Sequence, residues 1–480
     1  MKIIHATSES LPFIKSGGLA DVVYSLSKEL VNLDLDISIV LPLYKSIAYN
    51  YHFKFSYLKT IDVKSGTIDR IAQIYFYQID NIKYYFIQNQ YYFERDNIYG
   101  YDDDCERFSY YSVAIINMIR ELGLNFDIIH IHDWQVSMIP LLNRLYYQDI
   151  KVHYIMTIHN LAYKGLFNID YALSLLSIPR FYYDNGLIRL DNDISFLKTG
   201  IMTSDYITTV SNTYALEILD GLFDEGLKDV FKLRAADFKG ILNGIDYDLF
   251  NPYSCLDIKY RYDDSNFISN KKKNKRFLLD KLKLNTNNNT MLISMVTRLV
   301  YQKGISLVLE IIDRLMLLDI QLVILGSGDY HYECALHSIS NRYPNRVYFY
   351  QGFDSVFANQ LYASSDVFLM PSYFEPCGLS QMIALKFGCL PLVREVGGLS
   401  DTIFAYNKYD HSGNGFSFSN FDSNALLEVI YIIYNLYNND RKIFNKIVKR
   451  AMNCDYSFKN SAIEYYRIYK FISKRKRLNG

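Results

Sequence analysis

The feature that most constrains the fold is an alternation of short apolar runs with helically spaced segments, which restarts after residue 290. In the first half Lys2–Thr7 reads as a strand, Leu19–Val31 as a helix and Ile37–Leu41 as a strand. Asp127–Ile131 and Val152–Ile158 are further apolar runs, each followed by polar residues and then helical spacing. Met291–Val296, Gln321–Leu325, Val347–Tyr350, Val367–Met370 and Leu390–Val393 repeat the pattern in the second half. Strand–helix alternation implies parallel sheets covered on both faces. A chain of 480 residues exceeds one ordinary core. The expected fold class is therefore α/β, with two doubly wound domains.

The break falls between Asn243 and Asn289. Asn251-Pro252 is turn chemistry, Lys271–Lys273 with Lys275 and Arg276 is a charge run, and 285–289 is nearly all asparagine. The charge run is expected to be solvated surface. Ala462, Tyr465, Tyr466, Tyr469 and Ile472 lie at helical spacing, which predicts a closing helix over Ser461–Lys474. The domains are placed at 1–245, 246–458 and a closing segment at 459–480.

Fifty-one basic residues balance 51 acidic ones, which argues against a nucleic-acid partner. None of the six cysteines pairs as C-x-x-C, and no histidine spacing completes a metal site, so free thiols and no metal are expected. No run reaches the ~20 apolar residues of a spanning helix. The amino terminus carries no secretory pattern. A cytoplasmic protein with no membrane partner is the expectation.

Gly17-Gly18-Leu19-Ala20-Asp21 and Gly397-Gly398-Leu399-Ser400-Asp401 share one G-G-L-x-D form. Each precedes a predicted helix, where glycine lets backbone approach a ligand and free N–H groups suit phosphate. The plainer reading is that glycines let strands turn into helices. Lys15, Arg298 and Lys303 flank glycine-containing turns at expected strand ends, where doubly wound sheets bind ligands. Glu375, in Glu375-Pro376-Cys377-Gly378-Leu379-Ser380, follows another such strand. It reads as a site carboxylate or as a helix-start acid, and Ser380 as a helix cap or a phosphate donor. Cys377 has no adjacent histidine and reads as a packing residue. Asp133, in His130-Ile131-His132-Asp133-Trp134, reads as an N-cap or a site residue, and His159 as a buried, satisfied histidine or a site residue.

With these segments in place, the chain resembles the bacterial glycogen synthases and plant-type starch synthases, which are retaining GT-B glycosyltransferases. The resemblance rests on Lys15-Ser16-Gly17-Gly18-Leu19-Ala20-Asp21-Val22, His132-Asp133-Trp134-Gln135, Thr157-Ile158-His159-Asn160-Leu161-Ala162-Tyr163, Gly240-Ile241-Leu242-Asn243-Gly244-Ile245-Asp246 and Pro371-Ser372-Tyr373-Phe374-Glu375-Pro376-Cys377-Gly378-Leu379. It extends from Ala6-Thr7-Ser8-Glu9 to about Tyr466.

The resemblance implies two Rossmann-like domains facing a central cleft. It implies glucose transfer from ADP-glucose to the non-reducing end of an α-1,4-glucan primer with retention, and no cofactor. Lys15, Arg298 and Lys303 would hold the diphosphate, helped by Gly17, Gly18 and Ser380. Asp21 and Asn243 would help fix the donor, and Phe353 would stack on adenine. Glu375 would bond sugar hydroxyls, with Asp133 and His159 lining the glucose pocket and Cys377, Gly378 and Leu379 in the substrate-binding set. Ile383 stands where related retaining transferases have a second glutamate, which the glycogen synthase branch also lacks. Over Gly221–Val230 only Gly226-Leu227 aligns with the family's glycine- and tyrosine-rich loop. The alternatives are UDP-glucose or another acceptor, or an inactive glucan-binding relative. The sequence leaves the oligomeric state open.

Overall fold

The computed structural model describes residues 1–285 and 289–475. Part of the asparagine tract (286–288) and the end of the expected closing segment (476–480) lie outside the described residues. The chain forms two compact units: residues 1–243 with the tail from Phe458, and residues 244–457.

The first unit is built on strands β1 (Lys2–Ala6), β2 (Asp36–Pro42), β3 (Ser56–Ser65), β4 (Ile68–Ile79), β5 (Ile82–Gln88), β6 (Ile128–His132) and β7 (His153–Ile158). A small separate sheet holds β8 (Leu166–Phe167), β9 (Arg189–Leu190) and β10 (Asp193–Ser195); β11 (Tyr206–Thr209) and β12 (Phe238–Gly240) complete the large one. The large sheet runs β12-β11-β7-β6-β1-β2-β5-β4-β3. It is parallel from β12 to β5, and β3, β4 and β5 are antiparallel.

This meander departs from the expectation of unbroken strand–helix alternation. Asp80 and Asn81, both at positive φ (52° and 60°), form the two-residue turn between β4 and β5. That geometry matches the twist of a tight hairpin and is more often built with glycine.

The second unit carries β13 (Met291–Val296), β14 (Ile320–Gly326), β15 (Val347–Gln351), β16 (Val367–Met370), β17 (Leu390–Arg394) and β18 (Phe416–Phe418). They form one parallel sheet in the order β15-β14-β13-β16-β17-β18. Every residue of β14 is buried, as a sheet covered on both faces requires.

Both sheets reverse their winding beside their first strand. β1 lies between β2 and β6, and β13 between β14 and β16. The connections on either side of such a switch point diverge and leave a crevice at the strands' carboxyl ends.

The charge run is solvated surface only in part. It lies in the helix Phe267–Lys281, where Lys275 is buried and pairs with Asp366 at 2.6 Å. Lys271 donates to the carbonyls of Tyr362, Ala363 and Phe387, and burial pushes its pKa down to about 8. Only Lys272, Lys273 and Arg276 face solvent.

The tail forms the helix Phe458–Ser473, which packs against the helix Gly18–Val31 in the first unit. Tyr465 and Tyr469 are its buried face. No helix among the described residues is long and apolar enough to cross a membrane.

Candidate functional site

The candidate site residues fall into two groups, one per unit, at carboxyl ends of strands around each switch point. In the first unit the chain leaves β1 and reaches the Lys15–Gly18 turn. Glu9, buried in that segment, fixes the turn. Its carboxylate accepts from the backbone N–H and hydroxyl of Ser16 (2.5 and 2.6 Å) and the N–H of Gly17 (3.3 Å). Tyr99 donates to the same carboxylate at 2.7 Å. Arg107, fully buried, holds the loop carrying Tyr99 by donating to the carbonyls of Tyr92 and Ile98. Sequence reasoning does not reach Glu9 and Tyr99 as supports of this candidate turn; the one available signal is that Glu9 lies inside a family-like segment.

Gly17 caps the helix Gly18–Val31 with extended backbone and no side-chain bond to the helix start. A Cβ at Gly17 would meet nothing within 4 Å. Neither packing nor backbone geometry demands glycine there. Lys15 forms an ion pair with buried Asp21 at 2.7 Å, and Asp21's pKa is raised by burial against the pull of Lys15. Asn243, just after β12, is buried and its Oδ1 has no partner among the described residues.

Across the switch point, Asp133 follows β6 and His159 follows β7. Asp133 has a left-handed backbone (φ 58°, ψ −173°) and makes no capping bond to the turn after it. Its carboxylate accepts instead from the N–H of His159 at 2.7 Å and of Asn160. The N-cap reading therefore fails, because the backbone turns the carboxylate toward the neighbouring strand end. A non-glycine residue held there costs about 1–3 kcal/mol and such outliers concentrate at functional sites.

Burial pushes the Asp133 carboxyl up to about 7, despite the two N–H groups. A raised acid pKa means the folded state holds its proton where the unfolded state has lost it. Stability from this group is present below about pH 4 and is lost as pH rises through 7. Asp133→Asn removes this loss, which amounts to up to about 4 kcal/mol. Urea midpoints of the variant and the parent should therefore diverge in the variant's favour between pH 5 and pH 8. An unchanged difference across that range would contradict the burial assignment.

His159 pairs through Nε2 with His132 Nδ1 at 3.0 Å, so the satisfied-histidine reading holds for one nitrogen. The ligand atoms of His5, His130 and His132 lie within 4.8 Å of one another.

In the second unit the loops after β13 and β16 lock together across the switch point. Tyr373 N–H donates to Gln302 carbonyl (2.8 Å), and Gln302 Nε2 to Phe374 carbonyl (3.1 Å). Gly304, at φ 69°, allows this: a Cβ there would sit 2.0 Å from the carbonyl oxygen of Pro371. Lys303 Nζ then lies 2.6 Å from Glu375 Oε2, which also accepts from Ser372 at 3.1 Å. Both partners of that pair are mostly buried. Arg298 stands exposed on the same loop and makes no ion pair among the described residues. Phe353 is exposed after β15.

Cys377 is buried, and Gly378 takes φ 73°. Ser380 opens the helix Ser380–Lys386, whose cap position is Leu379, so Ser380 is not the cap. In the second glycine pair Gly398 is held by packing. Gly398 N–H donates to the carbonyl of Glu375 at 3.2 Å, and a Cβ on Gly398 would lie 2.3 Å from the carbonyl oxygen of Cys377. Gly398 is thus a packing device for the Glu375 loop.

The Gly221–Val230 segment takes positive φ at Gly221, Phe223, Glu225 and Gly226, and Lys164 holds it through Glu225 at 3.2 Å.

Comparison with known proteins gives the family. Residues 2–233 match the starch synthase catalytic domain, and residues 277–450 match glycosyl transferases group 1. The chain is 43% identical to a glycogen synthase from Clostridium botulinum, over 99% of this chain and all of that protein. It is 42% identical to one from Caldicellulosiruptor bescii, over 98% and 99%. The structure resembles the catalytic domain of starch synthase IV from Arabidopsis thaliana bound to ADP and acarbose, with a TM-score of 0.91, 30% identity and coverage of 98% and 99%. Sucrose-phosphate synthase from Thermosynechococcus elongatus, at TM-score 0.61 and 15% identity over 98% of each chain, shares the fold. Two Rossmann-like parallel-sheet units of the GT-B class, with full-length identity above 40% to curated relatives, make this chain a glycosyltransferase of the glycogen and starch synthase family.

Proposed function

We propose that the donor is ADP-glucose, that the acceptor is the non-reducing end of an α-1,4-glucan, and that the α configuration is kept. The observation that carries this reading is the Lys303–Glu375 pair at the β13/β16 switch point, beside exposed Arg298. A nucleoside diphosphate leaving group gains negative charge as the glycosidic bond breaks. Preorganised cations at that position stabilise it more in the transition state than in the ground state. Arg298 supplies a planar fork and Lys303 a point charge, and Ser380 with the Cys377–Leu379 backbone is assigned to the same donor. Glu375 holds Lys303 in place and bonds sugar hydroxyls, and Phe353 offers a face for the base.

In the first unit Asp133 and His159 line the glucose pocket, with Asn243 directed at the sugar nucleotide. Lys15, Gly17, Gly18 and Asp21 are assigned to substrate as well. No side chain is given the role of nucleophile, and no cofactor is required by this chemistry. The ADP and acarbose bound to the Arabidopsis relative support a nucleotide donor and a glucan-like acceptor.

The test mixes purified protein with a glucan primer and either ADP-glucose or UDP-glucose, reading nucleotide release and chain growth. Growth with ADP-glucose is expected. Growth only with UDP-glucose would overturn the donor assignment, and growth with neither would leave an inactive glucan-binding relative.

The two kinds of glycine give a further expected result. Gly17→Ala leaves the thermal midpoint unchanged, since its Cβ meets nothing, yet lowers kcat/KM about tenfold or more where substrate approaches the backbone. Gly304→Ala instead costs at least about 1–3 kcal/mol of stability, from its positive φ and from a Cβ that would clash with the Pro371 carbonyl. Thermal melts and initial rates on both variants check this; a Gly17→Ala enzyme of parental activity would remove that turn from the site.

A further inference from the structure

Under the site of the first unit lies a column of histidines. His5 Nδ1 pairs with His132 Nε2 at 2.9 Å, and His132 Nδ1 with His159 Nε2 at 3.0 Å. His130 stacks beside His132, with ring centroids 4.3 Å apart. It spends both nitrogens elsewhere, on Tyr469 of the tail helix (2.7 Å) and on Thr157 (2.6 Å). His5, His130 and His132 are fully buried. The lower end of the column, His5 Nε2, is buried with no partner among the described residues.

A metal at this cluster would have to break bonds already made, because both nitrogens of His130 and of His132 are committed. A hydrogen-bonded column fits the atoms better. Burial holds all four rings well below the ordinary histidine pKa, so each carries one N–H. Two ring-to-ring bonds in series can then point only one of two ways. Pointing inward leaves an N–H on His5 Nε2 with nothing to accept it. Pointing outward leaves a bare nitrogen there, and an orphaned buried donor is the rarer defect.

We propose that His5 and His132 are positioning residues that fix the tautomer of His159, making its Nε2 the acceptor and its Nδ1–H the donor presented to substrate. The coupling is strict, because His159 cannot change tautomer unless His132 and His5 change with it. This rests on the reading that His159 lines the sugar pocket, but the tautomer itself is measurable without substrate.

The experiment is nitrogen-15 NMR of protein labelled at its nine histidines, with His159 assigned by its loss in His159→Gln. The expected spectrum shows His159 with a protonated Nδ1 and an unprotonated Nε2. A protonated Nε2, a doubly protonated ring or an even mixture would overturn the proposal. His132→Phe keeps a flat ring, slightly larger, and removes both bonds. It should convert the His159 signal to a tautomer mixture and lower kcat about 10–100-fold, as loss of a tautomer-fixing partner does elsewhere. A folded His132→Phe enzyme with an unchanged His159 signal would also overturn it. His159→Gln with parental turnover would instead sink the pocket reading and leave the tautomer result standing.

Discussion

In Lys303→Ala, kcat falls about 10²–10³-fold, the loss typical of removing one preorganised group that stabilises developing charge. The geometry makes this lysine hard to replace. Its ammonium is fixed 2.6 Å from Glu375 by a carboxylate that Ser372 also bonds, in loops locked by Gln302 and by the close approach of Gly304 to Pro371. It therefore needs no reorganisation as the leaving group departs. The variant also strands Glu375 in a buried position, so part of its defect is structural. Lys303→Arg separates the two effects. It keeps the charge beside Glu375 and so retains most stability, but its broader fork misplaces the donor contact, and kcat should stay well below the parent. Initial rates of nucleotide release at saturating primer, with thermal melts of each variant, provide the check. A Lys303→Ala enzyme within about threefold of the parent would contradict the assignment.

The largest effect on stability belongs to Lys275, far from the chemistry in role. Lys275→Ala removes one member of a buried pair and leaves Asp366 inside the second unit with its charge uncompensated. Such changes cost about 3–5 kcal/mol. Lys275 also donates to Tyr437 at 3.0 Å and to the carbonyl of Thr290, and both acceptors lose that donor. Lys272→Ala, one turn of sequence away on the exposed face, should stay within about 0.5 kcal/mol. Urea unfolding of the two variants makes the comparison, and equal midpoints would mean Lys275 is not buried as described.

How far the sequence could be read depended on which residues carry information locally. The buried parallel strands were legible because continuous apolar runs such as 291–296 and 367–370 have few other readings. The positions of Lys303, Glu375, Asp133 and His159 at strand carboxyl ends followed from that.

The meander was not legible: β3 and β4 are half exposed and rich in Tyr, Lys and Gln, and their hairpin turn is Asp80-Asn81 without glycine. The lysine run misled because spacing in sequence does not reveal which face of the helix Phe267–Lys281 is covered. Asp133 misled because a cap is the usual use of aspartate before a turn, and only its positive φ redirects the carboxylate. Within the two G-G-L-x-D segments, Gly17 faces open space whereas Gly398 packs against backbone, which the shared pattern does not reveal. Glu9 and the histidine column depend on contacts between distant strands, which no local pattern carries.

The account rests on a diphosphate being the group that this enzyme grips. Calorimetric titration of the parent and of Lys303→Ala with ADP and with AMP tests that directly. The parent should bind ADP at least about tenfold more tightly than AMP, a gap of about 1.4 kcal/mol, and the gap should close in the variant. Equal affinity of the parent for ADP and AMP would contradict it.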